Sequence, residues 1–364
     1  MAEDTPGVHG IYGHTNPDRV VDVVFVHGLG GSSHSTWRHG KPGDADHFFW
    51  PHELGVDLPA CGVWVFGYLA GLSDFGEPGM RIELRAGNMA DQLAVKLGDR
   101  PMILVTHSMG GLVSKAMVVR CAGSPDAGRA RLERAVRGIV FCATPHKGSA
   151  LAGVMSALGV AQDHVKQMGR NGDTLEQLHA EFVAWEQRRR IPLLPFAENQ
   201  AMSARYLGIF GRKADVKAVT RESADLDLPE YPLRDVDADH GSIVKPPSRE
   251  GPIGGVVYQG VLQFVREVIR TVEAERAAPA ESATAPVVEG MPARQPHAAA
   301  ATPPVVAPPV VRVGTSGARR IWEEKLAYYE QELAITSDFD AKFALNKKLE
   351  DVRRQLERLG GSSG

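Results

Sequence analysis

Between Gly7 and about Val272, short Val/Ile-rich runs alternate with amphipathic stretches, the pattern of an α/β protein whose mostly parallel sheet carries helices on both faces. The runs predict strands at Val21–Val26, Val63–Phe66, Met102–Thr106, Gly138–Ala143, Ile191–Phe196 and Val216–Thr220, with Val8–Tyr12 as an added edge strand. "VVFV", Val23–Val26, is apolar at every position, as a central parallel strand covered on both faces must be. Helical spacing follows from Gly110 onward, through "LEQLHAEFVAWEQRRR", and over Gly254–Val272.

The periodicity stops near Ala277. From there to Gly317 the chain is rich in Pro and Ala without a repeat, which predicts an extended linker. A flexible chain of that length would span on the order of 35 Å r.m.s.. Helical spacing returns in the tail, at Trp322, Leu326, Tyr329 and Leu333 and again at Leu345, Leu349, Val352, Leu356 and Leu359. "TSDFD" between the two sets offers Ser337 or Asp338 as a cap, so a helical hairpin is expected. Two such helices bury too little to stand alone and call for a partner: a second copy, another protein, or the first domain. The expected division is a domain at 1–276 with a cap insertion at 150–190, a disordered linker at 277–317 and a helical interaction module at 318–364.

Composition narrows the function classes. A hydrophobic fraction of 43%, a charged fraction of 23% and a net charge of −3 describe an ordinary globular chain without the basic footprint of a nucleic-acid binder. The first twenty residues lack the pattern of a secretory signal, and no apolar run is long enough to cross a membrane, so a cytoplasmic protein with at most peripheral membrane contact is expected. Cys61, Cys121 and Cys142 are odd in number and form no C-x-x-C, which argues for buried thiols over disulfides or zinc, and no metal is expected.

The chemistry centres on "ILVTHSMGGLVSKAM", where a strand pattern breaks at Ser108 and becomes helical. A serine at such a turn stands above the sheet, and the amide of Met109 at the helix N-terminus is placed to bind an oxyanion. Gly110 and Gly111 then provide steric clearance. The usual turn is spelled G-x-S-x-G, and here Thr106 stands at its first position. A plain strand-to-helix turn is the competing reading. Three features favour a nucleophile. "HGLGG" after the second strand offers the amide of Leu29 as a second oxyanion donor, with Gly30 beside it and His27 ordering the loop. The loop "DVDADHGSIVKPPS" carries His240 late in the chain, where a general base must arise in this order. "IPLLPFAENQAM" ends in Glu198, the favoured acid, with Asp235, Asp237 and Asp239 as rivals. His107, Gly30 and Trp37 are candidates for a substrate pocket, Trp37 and Trp50 having core filling as the alternative.

With these residues in place the first domain resembles the α/β-hydrolase superfamily, and within it the bacterial relatives of the lipase-like "serine active site containing" proteins. The pieces that carry the resemblance are "VVFVHGLGG", "FWPHEL", "VWVFGY", "THSMGGLVSKAM", "IVFCATPHKGSALA", "PFAEN", "AVTRESADL" and "DADHGSIVKP", spread over Val8–Phe264. The resemblance implies an esterase or lipase acting on acyl esters, phospholipids among them, without cofactor. The tail resembles the small helical effector-associated modules of bacterial conflict systems, which implies a protein partner through 318–360; a homomeric coiled coil is the alternative.

Between "TPHKGS" and "IPLLPF" the insertion could build a lid over the serine; Leu175, Leu178, Phe182 and Trp185 follow helical spacing, with core packing the favoured reading of each and an acyl-chain pocket the alternative. Two rival functions stay open: a peptidase or amidase using the same three residues, and a catalytically inert adaptor whose tail does the work.

Overall fold

The computed structural model describes residues 5–68, 78–147, 172–201 and 218–277, with Val154, Leu349 and Arg353 besides. The chain divides into two compact units, Met1–Thr284 and Ala285–Gly364. The expected linker beyond Ala277, the expected hairpin apart from Leu349 and Arg353, and the first half of the expected cap insertion apart from Val154 lie outside the described residues.

The first unit is built on a seven-stranded sheet. Its strands are β1 (Gly7–Tyr12), β2 (Val21–Val26), β5 (Cys61–Gly67), β6 (Met102–His107), β7 (Val136–Cys142), β8 (Leu193–Glu198) and β9 (Arg234–Val236); β3 (Arg38–His39) and β4 (Phe48–Phe49) form a separate ribbon. The order across the main sheet is β1-β5-β2-β6-β7-β8-β9. Only β1 runs antiparallel to its neighbour, and every other pair is parallel. Every residue of β2, β5, β6 and β8 is buried, which is why these strands read as apolar runs without alternation.

Helices cover both faces. On one side α2 (Pro78–Lys96), α3 (Met109–Cys121), α4 (Ala127–Ala135) and α5 (Gly172–Arg189) close a core that includes Met89, Leu93, Leu112, Phe141, Phe182 and Trp185. On the other, α1 (Trp50–Asp57) and the long C-terminal helix of the unit (Gln259–Ala277) close a second core around Phe25, Trp50, Val105, Tyr258 and Val265. Leu175, Phe182 and Trp185 of α5 are buried in the first core.

From β2 the chain steps to β5 on one side, then returns to β6 on the other and continues outward through β7, β8 and β9. The winding reverses between β2 and β6, and the crevice beyond their carboxyl ends is where an open α/β sheet binds ligands. The result is the α/β-hydrolase fold. One strand differs from the sequence expectation. Val216–Thr220 does not supply the last strand: its described residues, 218–220, are bends and a helix cap, and the edge is β9. Two of the three β9 residues are exposed, so the strand leaves no apolar run.

Candidate active site

Ser108 joins β6 to α3 with φ 52° and ψ −125°, a backbone state that costs a non-glycine residue on the order of 1–3 kcal/mol. The surroundings hold it there. Its N–H donates to the Cys142 carbonyl at 2.9 Å, and its carbonyl accepts from Gly111 N–H at 3.0 Å. Gly110 packs α3 directly on the end of β2: a Cβ there would lie 2.5 Å from the His27 carbonyl oxygen and closer still to that of Val26. A Cβ on Gly28 would lie 2.7 Å from Ser108 Cβ and 2.9 Å from the His107 carbonyl oxygen. These glycines let the loop, the turn and the helix meet backbone to backbone. Thr106 also finds its place: it is fully buried, and its hydroxyl donates to the Val140 carbonyl on β7 at 2.8 Å. The residue that departs from the usual spelling thus ties the strand leading into Ser108 to its neighbour.

His240 Nε2 lies 3.0 Å from Ser108 Oγ, and its Nδ1 lies 2.6 Å from Glu198 Oε2. Facing a carboxylate, Nδ1 carries the proton, which leaves Nε2 as acceptor for the serine hydroxyl. The other Glu198 oxygen accepts from the Val219 N–H at 2.9 Å, so both carboxylate oxygens are bonded. All three side chains are buried. The rival acids are engaged elsewhere. Asp235 binds Arg221 at 3.1 Å and Asp237 binds Gln200 at 2.6 Å. Asp239 Oδ1 accepts from Gly241 N–H, Ser242 N–H and Ser242 Oγ at 2.8–3.0 Å, folding the turn that presents His240.

Leu29 follows β2 and Met109 opens α3; both are buried. An amide at the first helical position has no acceptor within its own helix. Gly30, at φ 66°, stands exposed at the crest of the same loop. Trp37 belongs to the core, fully buried with its ring 5.0 Å from Phe25 and 5.7 Å from Trp50, and 6.5 Å from the His107 ring.

Three contributions were not legible in the sequence. His107 turns towards His240, its Nε2 lying 2.9 Å from the His240 carbonyl oxygen; burial pushes its pKa well below the usual value, so a neutral ring donates that bond. Tyr68 clamps the loop after β2: its hydroxyl donates to the His27 carbonyl at 2.6 Å, its N–H to His27 Nε2 at 3.2 Å, and the rings stack at 4.3 Å. His27 Nδ1 is thereby the donor to the Gly28 carbonyl, at 2.9 Å. The Val219 amide is the third. None of these roles shows in local spacing, because each depends on contacts made across the fold.

Among the described residues, no cluster of three or more His, Cys, Asp or Glu is placed to hold a metal ion, and no helix is long and apolar enough to cross a membrane.

No family model matches the chain. It is 31% identical to Protein SERAC1 of Mus musculus over 268 residues, which cover 68% of this chain and 39% of that protein. Against Protein SERAC1 of Homo sapiens the identity is 30% over 282 residues, 72% of this chain and 41% of the other. The chain therefore spans about two fifths of the length of these relatives. Among solved structures, a lipase-esterase related protein from Clostridium acetobutylicum is similar, with a TM-score of 0.39 and 12% identity over 72% of this chain and 98% of that one.

Proposed function

We propose that the first unit is a serine hydrolase that cleaves carboxylic esters through an acyl-enzyme on Ser108. The observation that supports this reading best is the unbroken hydrogen-bonded series from Ser108 Oγ through both nitrogens of His240 to Glu198, at the switch point of the sheet. The fold alone would not carry it, since one fold hosts many functions.

In this mechanism Ser108 Oγ attacks the ester carbonyl while His240 Nε2 takes its proton. Glu198 holds the ring orientation and stabilises the imidazolium. The Met109 and Leu29 amides receive the oxyanion, a contribution worth about 2.7–4 kcal/mol per donor. His240 then returns the proton to the leaving alcohol. Water, deprotonated by the same nitrogen, cleaves the acyl-enzyme and releases the acid. Acyl esters, phospholipids among them, are the proposed substrate class, and recruitment of a partner through 318–364 is proposed from its sequence pattern.

A fluorophosphonate label mapped by peptide mass tests nucleophile and activation together. The label should sit on Ser108, and Ser108→Ala should lose both labelling and p-nitrophenyl ester hydrolysis. Labelling elsewhere, or hydrolysis that survives the substitution, would overturn the reading. Faster cleavage of a peptide panel than of esters would instead select the amidase.

A further inference from the structure

The proposed chemistry leaves unused a buried cluster where α3, the end of β7 and α5 meet. Lys115 of α3 is fully buried, and its Nζ lies 2.7 Å from His179 Nδ1 on α5. The same nitrogen stands 4.8 Å from the centroid of the Phe182 ring and 5.8 Å from that of Phe141. His179 takes the Lys115 bond at Nδ1, and the Leu226 backbone accepts from its ring. His146, just beyond β7, is also buried, with its ring 5.9 Å from that of His179 and edge-on to Phe141 at 4.9 Å.

Among the described residues, several buried polar atoms in this part of the fold have no hydrogen-bond partner. Both ring nitrogens of His146 are buried and unbonded. The His146 N–H donates to the Ser223 carbonyl at 2.8 Å, which brings in Ser223, whose own hydroxyl is buried and unbonded. Thr144 packs on Gly111, where a Cβ would collide with it, and its hydroxyl is unbonded as well. Gly111 and Lys115 are four residues apart and share a face of α3.

Each of these side chains can donate a hydrogen bond, and among the described residues no acid is bonded to them. Asp227 acts on His179 but is largely exposed and paired with Lys147 at 3.0 Å. Burial is what drives the Lys115 pKa well below its usual value, with no carboxylate among the described residues set against it. An ammonium buried without a counter-ion is strongly unfavourable. Losing its proton would relieve Lys115 but leave His146, Thr144 and Ser223 unbonded, and buried polar groups of that kind call for an occupant. A small anion meets both needs, since it accepts from every donor and neutralises the lysine.

We propose that Lys115, His146, Thr144 and Ser223 form an internal binding site for a small monovalent anion of halide size, fastening the end of β7 and the helical turn Arg221–Ala224 to α3, the helix that begins at the serine turn. The site is independent of the hydrolase reading.

The test uses the full chain in a chloride series at constant ionic strength, with bulky gluconate as the replacing anion. Thermal unfolding of wild-type protein should shift upward saturably by roughly 5 °C. Lys115→Met should show no shift, and Ser108→Ala should behave as wild type whether or not esters are cleaved. Crystals soaked in bromide should show an anomalous peak within hydrogen-bond distance of Lys115 Nζ, a readout that does not need the variant to fold. Equal responses of wild type and Lys115→Met to chloride, or bromide peaks only elsewhere, would overturn the proposal; an interior that is merely hydrated gives that result.

Discussion

Thr106→Gly would restore the usual G-x-S-x-G spelling, yet the structure predicts that it weakens the protein. The hydroxyl bond to Val140 at 2.8 Å would be lost, at about 1 kcal/mol net. The fully buried methyl group would be lost too, at about 0.8 kcal/mol before any cavity term. Glycine inside a strand adds roughly 0.5–1 kcal/mol of backbone entropy. Together these reach about 2.5 kcal/mol. Thr106→Val keeps the shape and removes only the hydroxyl, so it should lose about 1–2 kcal/mol. Urea unfolding followed by tryptophan fluorescence measures both, and kcat on p-nitrophenyl esters should stay within a few-fold of wild type because neither change touches Ser108, His240 or Glu198. A Thr106→Gly protein as stable as wild type would refute the reasoning, and so would a Thr106→Val protein of normal stability with greatly reduced kcat.

Glu198→Gln should keep the Val219 bond but place an amide against His240 Nδ1 and favour the wrong tautomer, reducing kcat by about 10⁴-fold with KM little changed; steady-state kinetics reads both. Gly28→Ala should push the loop after β2 off the serine turn, abolishing fluorophosphonate labelling while circular dichroism stays native. For the pH dependence, His107, His146 and His179 all have folded pKa values below the ordinary 6.5, that of His179 falling to about 4. Below pH 6.5 the unfolded chain takes up protons that these rings refuse, so stability falls with pH, and for His179 the loss stops growing once pH passes its folded value. His146→Gln should flatten the dependence by up to one proton in urea titrations between pH 6.5 and 4; an unchanged slope would contradict the assignment of a neutral buried ring. Deleting 318–364 should leave small-ester hydrolysis unchanged and remove complex formation in size-exclusion chromatography, and loss of hydrolysis would count against independent modules.

Much of the fold was legible because its central strands are buried on both faces and so appear as uninterrupted apolar runs. The position of Ser108 was legible for a related reason: only a sharp turn makes a strand pattern give way to a helical one within a residue or two. Strand β9 was not, since an edge strand of three residues with Arg234 and Asp235 exposed lacks the period that marks a strand. Nor was the work of His107, because a histidine beside a serine carries no sign of which backbone it will bond.

The chain order of serine, acid and histidine, the alternation of strands and helices, and the glycines at the turns follow from local spacing, which any stretch of sequence carries within itself. The choice of Glu198 over Asp235, Asp237 and Asp239 as the partner of His240 belongs to the tertiary structure. Asp237 finds Gln200 across 37 residues, Asp235 finds Arg221, Asp239 folds its own turn, and Glu198 is left facing the imidazole 42 residues away. A carboxylate takes the donors that packing brings within about 3 Å, and that distance is set only when β8, β9 and the loop beyond them close on one another.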